Sequence, residues 1–286
     1  MEDLSRLRQA FYNSPEYSVK WESYFPVYSE LFSKFVGKKI TFLEVGVLHG
    51  GSLFMWREYL GPEARIIGID LNPEAIKWQE YGFEIFIGDQ ADSNFWKHVI
   101  PNIGCLDVVL DDGGHTNLQQ IQTIKNLVNS INDGGLIVIE DTQTSYQRDF
   151  GNPSPTSGVE FAKSLIDAIA SRNPELNQIE PSFTRNIQSI RFFESIFAIY
   201  VNSESAQLNK VLANGREQSD ASDFRYFRGG KLESSLRVVI KKFGYRFSAT
   251  RKSKFRSASD LPLRLIQFVC YLLLKKIIRR QVNKAS

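Results

Sequence analysis

Cysteine, histidine, long apolar runs and net charge are all scarce in this chain, and each shortage removes a class of protein. Only two of its 286 residues are cysteines, Cys105 and Cys270, and neither belongs to a paired motif. A disulfide framework and a cysteine-built zinc site are therefore excluded, and a reducing compartment is expected. The apolar run Phe268–Leu274 is far too short to span a bilayer. The opening residues, MEDLSRLRQAFYNS, are charged throughout and lack the apolar core of a signal peptide, so a cytoplasmic location is expected. There is no internal repeat and no low-complexity tract. The length suits one large α/β domain with an appendage, or two small domains.

The small net charge of +3 hides an asymmetry. From Arg228 to the end there are 16 Lys and Arg against 2 Asp and Glu. The preceding part carries 19 basic and 30 acidic residues. An acidic body with a basic tail implies that the tail meets an anionic partner.

The body is organised around Ile40 to Leu53, ITFLEVGVLHGGSL. An apolar strand runs into a glycine-rich bend and then a helix, the arrangement by which a buried parallel strand presents a nucleotide-like ligand to a helix N-terminus. Gly46, Gly50 and Gly51 permit close backbone approach or positive φ. The same rhythm of apolar strand, polar end and helix recurs: Arg65–Ile69 ends at Asp70, Glu84–Ile87 at Asp89-Gln90, Leu106–Leu110 at Asp111-Asp112, and Leu136–Ile139 at Glu140-Asp141. Near-continuous apolar strands predict a sheet buried on both faces, with every polar cluster at its ligand-binding edge. Ile187–Phe193 and Ile196–Val201 read as an antiparallel hairpin closing that sheet. The fold expected is Rossmann-like, doubly wound and mostly parallel, with a basic helical C-terminal extension. Its parts are residues 1–36, a helical segment in which Trp21, Tyr24, Phe25, Tyr28, Leu31, Phe32 and Phe35 recur at three- and four-residue spacing and which packs on the core or covers the ligand mouth; 37–205, the ligand-binding domain; and 206–286, the extension.

Two acid clusters fall at neighbouring strand ends, Asp112-x-x-His115 and Glu140-Asp141. Asp112, Glu140 and Asp141 supply the oxygen ligands that Mg²⁺ prefers, and His115 is a base of suitable pKa for a nearby hydroxyl. The plainer alternatives are helix caps and solvated loop acids. His49, in the glycine turn, and His98, in a helix-like segment, read as structural or solvent-facing. Asp70 stands where a carboxylate usually holds a ribose diol, the plainer alternative being a cap for a helix over Asn72–Tyr81. The bend departs from a dinucleotide fingerprint: it begins with Glu44, which pyrophosphate would not welcome but a cofactor bearing an amine would.

Glu44-x-Gly46-x-x-x-Gly50 with Asp70 and Asp89 resembles the class I S-adenosylmethionine methyltransferases. LDVVLDDGGH, GGLIVIEDTQTSY and GDQAD narrow the resemblance to the metal-dependent sugar O-methyltransferases of the macrocin and mycinamicin type, over about Tyr24 to Val201. The resemblance implies S-adenosylmethionine and Mg²⁺ as cofactors. It assigns Glu44, Gly46, Gly50, Ser52, Asp70, Asp89, Gln90 and Asp111 to the cofactor, Asp112, Glu140 and Asp141 to the metal, and His115 as the base. Tyr146 and its loop would border the sugar of a small-molecule or glycan acceptor. The alternatives are a catechol-like diol acceptor, or a non-catalytic scaffold at a membrane.

The extension lies outside the resemblance. Leu261–Ile278 reads as a helix with Lys275, Lys276, Arg279 and Arg280 at one end, suited to the anionic inner face of a membrane as a peripheral contact, and less to nucleic acid. Assembly into a homo-oligomer is left open.

Overall fold

The computed structural model describes residues 2–151, 156–172, 182–206 and 212–216. Seven strands form one sheet in the order β3-β2-β1-β4-β5-β7-β6. They are β1 (Thr41–Val45), β2 (Arg65–Asp70), β3 (Glu84–Ile87), β4 (Leu106–Asp111), β5 (Ile131–Ile139), β6 (Ile187–Phe193) and β7 (Ile196–Val201). β1 to β5 are parallel, and β7 inserts antiparallel between β5 and β6. This is the expected mostly parallel sheet with its terminal hairpin. The order turns back between β1 and β4, which opens a crevice at their carboxyl ends.

Alternation along each central strand feeds two cores. Phe42, Val108, Leu110, Leu136, Val138 and Ala198 face one side, and Leu43, Val109, Ile137, Ile139, Phe197 and Ile199 the other. Helices α1 (Glu2–Asn13), α2 (Tyr24–Phe32) and α3 (Gly51–Leu60) join the first core, and α4 (Ser93–Ile103), α5 (Asn117–Leu127) and α6 (Gly158–Ala170) the second. Tyr24, Phe25, Tyr28, Leu31 and Phe32 recur at helical spacing, and all are buried in α2. The rings of Tyr28, Phe32 and Phe42 surround Trp56 of α3 at 5.2, 5.4 and 5.1 Å. Each such side chain stabilises the fold by roughly 1.5–3 kcal/mol when fully buried. Trp21, grouped with these aromatics by spacing, lies outside α2 and is 64% exposed.

Three local expectations are corrected. Strand β5 begins at Ile131, because Asn132 to Gly135 make an irregular excursion within the strand between the Leu106 and Val108 pairings. The helix expected over Asn72–Tyr81 is 3₁₀, opened by Pro73 and capped by the Asn72 side chain. Helix α3 starts at Gly51, two residues before the first apolar position, since left-handed Gly50 caps it. The reading of Leu261–Ile278 as a membrane-surface helix falls outside the described residues. Among the described residues no helix is long and apolar enough to cross a membrane.

Each glycine of the bend makes room for another part of the chain. A Cβ on Gly46 would lie 2.1 Å from the Asp112 carbonyl oxygen, on Gly50 2.4 Å from the Trp78 ring, and on Gly51 2.5 Å from the carbonyl oxygens of Glu16 and Tyr17. Gly46 also has φ of +91°. Gly46→Ala is expected to lower stability by roughly 2–4 kcal/mol, from left-handed strain plus backbone overlap. Urea unfolding measures it, and a loss below about 0.5 kcal/mol would disprove the packing account.

Candidate active site

The carboxyl ends of β1 to β4 surround a cavity of about 470 Å³, within the range of sites for nucleoside-sized ligands. Its walls include Gly46, Ser52, Ile69, Asp70, Asp89, Gln90, Asp112 and His115, and residues 17–20 of the N-terminal segment. Of the residues assigned to the cofactor from sequence, Glu44, Gly50 and Asp111 do not line it. Glu44 is fully buried beneath it, accepting from Ser52 Oγ at 2.7 Å and Trp56 Nε1 at 3.1 Å. Asp111 is a buried acceptor for Gln90 Nε2 at 3.0 and 3.1 Å, and Gln90 Oε1 in turn accepts from the Gly114 amide. This pillar holds the loop carrying Asp112 and His115. Neither Asp111 nor Asp112 caps α5; Thr116 does, in a reciprocal capping box with Gln119.

Asp70 anchors the bend. Its Oδ2 accepts from the amides of Val47 and Leu48, both at 2.8 Å, and its Oδ1 from Asn72. Oδ2 has both its acceptor sites taken, whereas Oδ1 keeps one for a ligand hydroxyl. Asp89 is exposed at the cavity edge, its Oδ1 accepting from the Ala91 amide.

Beside this cavity stands the acid cluster. Donor atoms of Asp112, His115 and Asp141 all lie within 4.8 Å of one another. His115 Nε2 is 3.4 Å from Asp141 Oδ2 and 3.9 Å from Asp112 Oδ1. Both His115 and Asp141 are left-handed, at φ of +56° and +50°. The His115 carbonyl accepts from Thr144 Oγ1, which also bonds the Asp141 carbonyl. Glu140 turns the other way. Its Oε1 accepts from Tyr28 at 2.6 Å and its Oε2 from Lys20 Nζ at 3.2 Å. Lys20 Nζ also lies 2.5 Å from Asp112 Oδ2 and 3.9 Å from Glu44 Oε1. Tyr24 donates to Asp141 Oδ1 at 2.5 Å. A second cavity, of about 310 Å³, opens here between Val19, Lys20, Trp21, Glu22 and Tyr24 and the three acids Asp112, Glu140 and Asp141. Tyr146 lines neither cavity and is exposed.

The charge balance sets the protonation of this cluster. Burial and then the neighbouring Asp112 push the Glu140 carboxyl well up, against the pull of Lys20. Burial pushes Glu44 up to about 7, opposed by Lys20, Ser52 and Trp56. Burial lowers the Lys20 ammonium, but Asp112, Glu140 and Glu44 together outweigh it and raise it. Lys20, Tyr24 and Tyr28 carry these contacts, and no sequence signal assigns them to the site. The two tyrosines lie in a strongly apolar helix stripe, and a lone lysine in a loop has no periodicity to mark it.

The fold defined by this sheet and site is that of the class I methyltransferases. No protein-family model matches the chain. In sequence it is similar to mycinamicin VI 2''-O-methyltransferase of Micromonospora griseorubida, 30% identical over 208 residues, which cover 68% of this chain and 51% of that protein. It is 32% identical over 165 residues to 8-demethyl-8-alpha-L-rhamnosyl tetracenomycin-C 2'-O-methyltransferase of Streptomyces olivaceus, covering 53% of this chain and 43% of that one. The solved structure of MycE in complex with Mg, SAH and mycinamycin VI superposes with a TM-score of 0.61 at 28% identity, covering 70% of this chain and 53% of that chain. The chain thus resembles sugar O-methyltransferases and spans about half the length of the curated relatives it matches.

Glu44 holds its proton more tightly folded than unfolded. Its contribution to stability is therefore complete below its ordinary value of 4.5 and is lost as pH rises through about 7. The stability of wild type minus that of Glu44→Gln should fall between about pH 5 and pH 8 in denaturant titrations. A difference constant across that window would show that Glu44 does not titrate there.

Proposed function

We propose that the protein is an S-adenosylmethionine-dependent O-methyltransferase, using Mg²⁺, that acts on a sugar hydroxyl of a glycan or glycosylated metabolite. The observation that carries this reading is His115 Nε2 directed at the carboxylates of Asp112 and Asp141, beside a nucleoside-sized cavity. The similarity to sugar O-methyltransferases, and to MycE in complex with Mg and SAH, supports it.

The residues fit both groups. Asp112 Oδ1 and Asp141 Oδ2 point toward His115 rather than to Lys20 or Tyr24, which leaves hard oxygen donors for a divalent cation, with Glu140 alongside. The large cavity pairs apolar walls from Val45, Ile69 and Leu71 with the carboxylates of Asp70 and Asp89, which suits an adenosine. When bound, a divalent cation stabilises negative charge developing on an acceptor oxygen, and S-adenosylmethionine supplies an electrophilic methyl group.

The chain's own residues supply the rest. Asp70 accepts from a ribose hydroxyl on Oδ1, and Gln90 keeps the Asp112–His115 loop fixed. His115 takes the proton of the acceptor hydroxyl on Nε2. Its backbone is held by Thr144, so the ring meets the acceptor without reorganising. The smaller cavity, with Trp21 at its rim, receives the acceptor.

His115→Gln should reduce methyl transfer to a glycosylated acceptor by about 10²–10⁴-fold with little change in S-adenosylhomocysteine affinity, whereas Asp70→Ala should weaken that affinity. Full activity in His115→Gln would remove the base assignment. The basic extension offers a peripheral contact with an anionic membrane, a proposal resting on its composition. Truncation at residue 256 should abolish co-sedimentation with phosphatidylserine vesicles, and unchanged co-sedimentation would exclude it.

A further inference from the structure

Lys20 stands where a cation is demanded. Its ammonium lies 2.5 Å from Asp112 Oδ2 and 3.2 Å from Glu140 Oε2, and its side chain is 2% exposed. It belongs to no regular element. Residues 14–17 are fastened to the start of α3, where Ser14 Oγ donates to the Gly51 carbonyl at 2.8 Å and the Glu16 and Tyr17 carbonyls crowd Gly51. The chain is next secured at Glu22, which accepts from Arg8 of α1 at 3.1 Å, and at Tyr24 in α2. Between these anchors Lys20 reaches into the acid cluster, while Val19 and Trp21 beside it are 65% and 64% exposed. Among the described residues only Val19, Lys20 and Asp112 line both cavities, so the Lys20–Asp112 ion pair is part of the wall between them.

We propose that Lys20 and a divalent cation compete for Asp112 and Glu140, so that the metal enters only as Lys20 leaves, and that this displacement opens the wall between the two cavities. The inference rests on the metal reading above. A divalent ion on Asp112 Oδ1 would share one carboxylate with the Lys20 ammonium on Oδ2, and two cations so close repel strongly in a buried site while dividing the same negative charge. Removing the ammonium leaves Glu44, Asp112 and Glu140 without a cation, so the site then favours metal more. Lys20 is on this view a determinant of metal affinity carried by the N-terminal segment. It also couples the two cavities: methyl transfer requires donor and acceptor to meet across the wall it builds.

The test uses the full chain and Mn²⁺ alone, without acceptor or turnover. Calorimetry on wild type, Lys20→Met and Lys20→Gln should show Mn²⁺ binding on the order of tenfold tighter or more in both variants. Amide hydrogen exchange across residues 18–23 should quicken in wild type when Mn²⁺ is added and stay unchanged by Mn²⁺ in the variants. Affinity equal to or weaker than wild type in the folded variants, or exchange in wild type indifferent to Mn²⁺, overturns the proposal. The exchange experiment decides the matter on wild type alone if neither variant folds. If no chain takes up millimolar Mn²⁺, the metal reading itself fails, an outcome distinct from equal affinities.

Discussion

Glu44, Asp111 and Glu140 are almost wholly buried at the carboxyl ends of the central strands, Asp111 satisfied by Gln90, with Asp112 and Asp141 next to them. A buried carboxylate costs several kcal/mol unless it is paired and hydrogen-bonded, and Asp112 and Glu140 also repel each other. The surrounding structure is arranged to meet that demand. Ser52 and Trp56 donate to Glu44, Tyr28 to Glu140, Tyr24 to Asp141, and among the described residues Lys20 supplies the single ammonium at these acids. These donors come from the N-terminal segment, α2 and α3. The same rings that fill the first core therefore aim their polar ends at the sheet edge. Tyr28 illustrates the economy: its ring packs against Trp56 while its hydroxyl bonds Glu140.

This arrangement explains why the N-terminal helices are integral to the domain rather than an ornament on it. Tyr59 and Ser29 both donate to Asp3, tying α1 to α2 and α3. Segment 14–23 is thereby held at both ends, and its middle reaches the acids. Gly51 is needed for that path, since any side chain there would displace Glu16 and Tyr17. The glycines read in sequence as room for a ligand are first of all room for the protein's own chain, at Asp112, Trp78 and residues 16–17. Gly46 and Gly51 border the large cavity as well, so chain packing and cavity shape are set together.

The sheet was legible because strands buried on both faces leave near-continuous apolar runs, and turn residues separate them. Asp112, His115 and Asp141 were legible as a cluster because topology alone brings neighbouring strand ends together. The start of β5 was not, since Asp133-Gly134-Gly135 carries turn chemistry yet is absorbed as a bulge. Trp21 was grouped with the buried aromatics because periodicity continued past the helix start misleads. Lys20 was invisible for a deeper reason. A single cation in an irregular segment acquires meaning only from tertiary contacts with residues 44, 112 and 140, and no local pattern encodes them. Glu44 was correctly seen as an acid out of place in a phosphate cradle, but its first partners are Ser52, Trp56 and Lys20.

Backbone strain is distributed in a way that matches this division. Four non-glycine residues adopt left-handed φ among the described residues: Leu48, His115, Asp141 and Ser195. Ser195 is the turn of the β6–β7 hairpin, where such a conformation is ordinary. The other three sit on the rim of one cavity or the other. Each is clamped: Leu48 by Asp70, His115 by Thr144 through its carbonyl and by the Gln90–Gly114 bond just before it, and Asp141 by Thr144 and Tyr24. A left-handed non-glycine residue costs of order 1–3 kcal/mol and persists only where its surroundings over-determine it. Strain concentrated at His115 and Asp141, and shared through one threonine hydroxyl, orients the imidazole and the carboxylate toward each other. The same two residues would be free to relax if their only task were to join a strand to a helix.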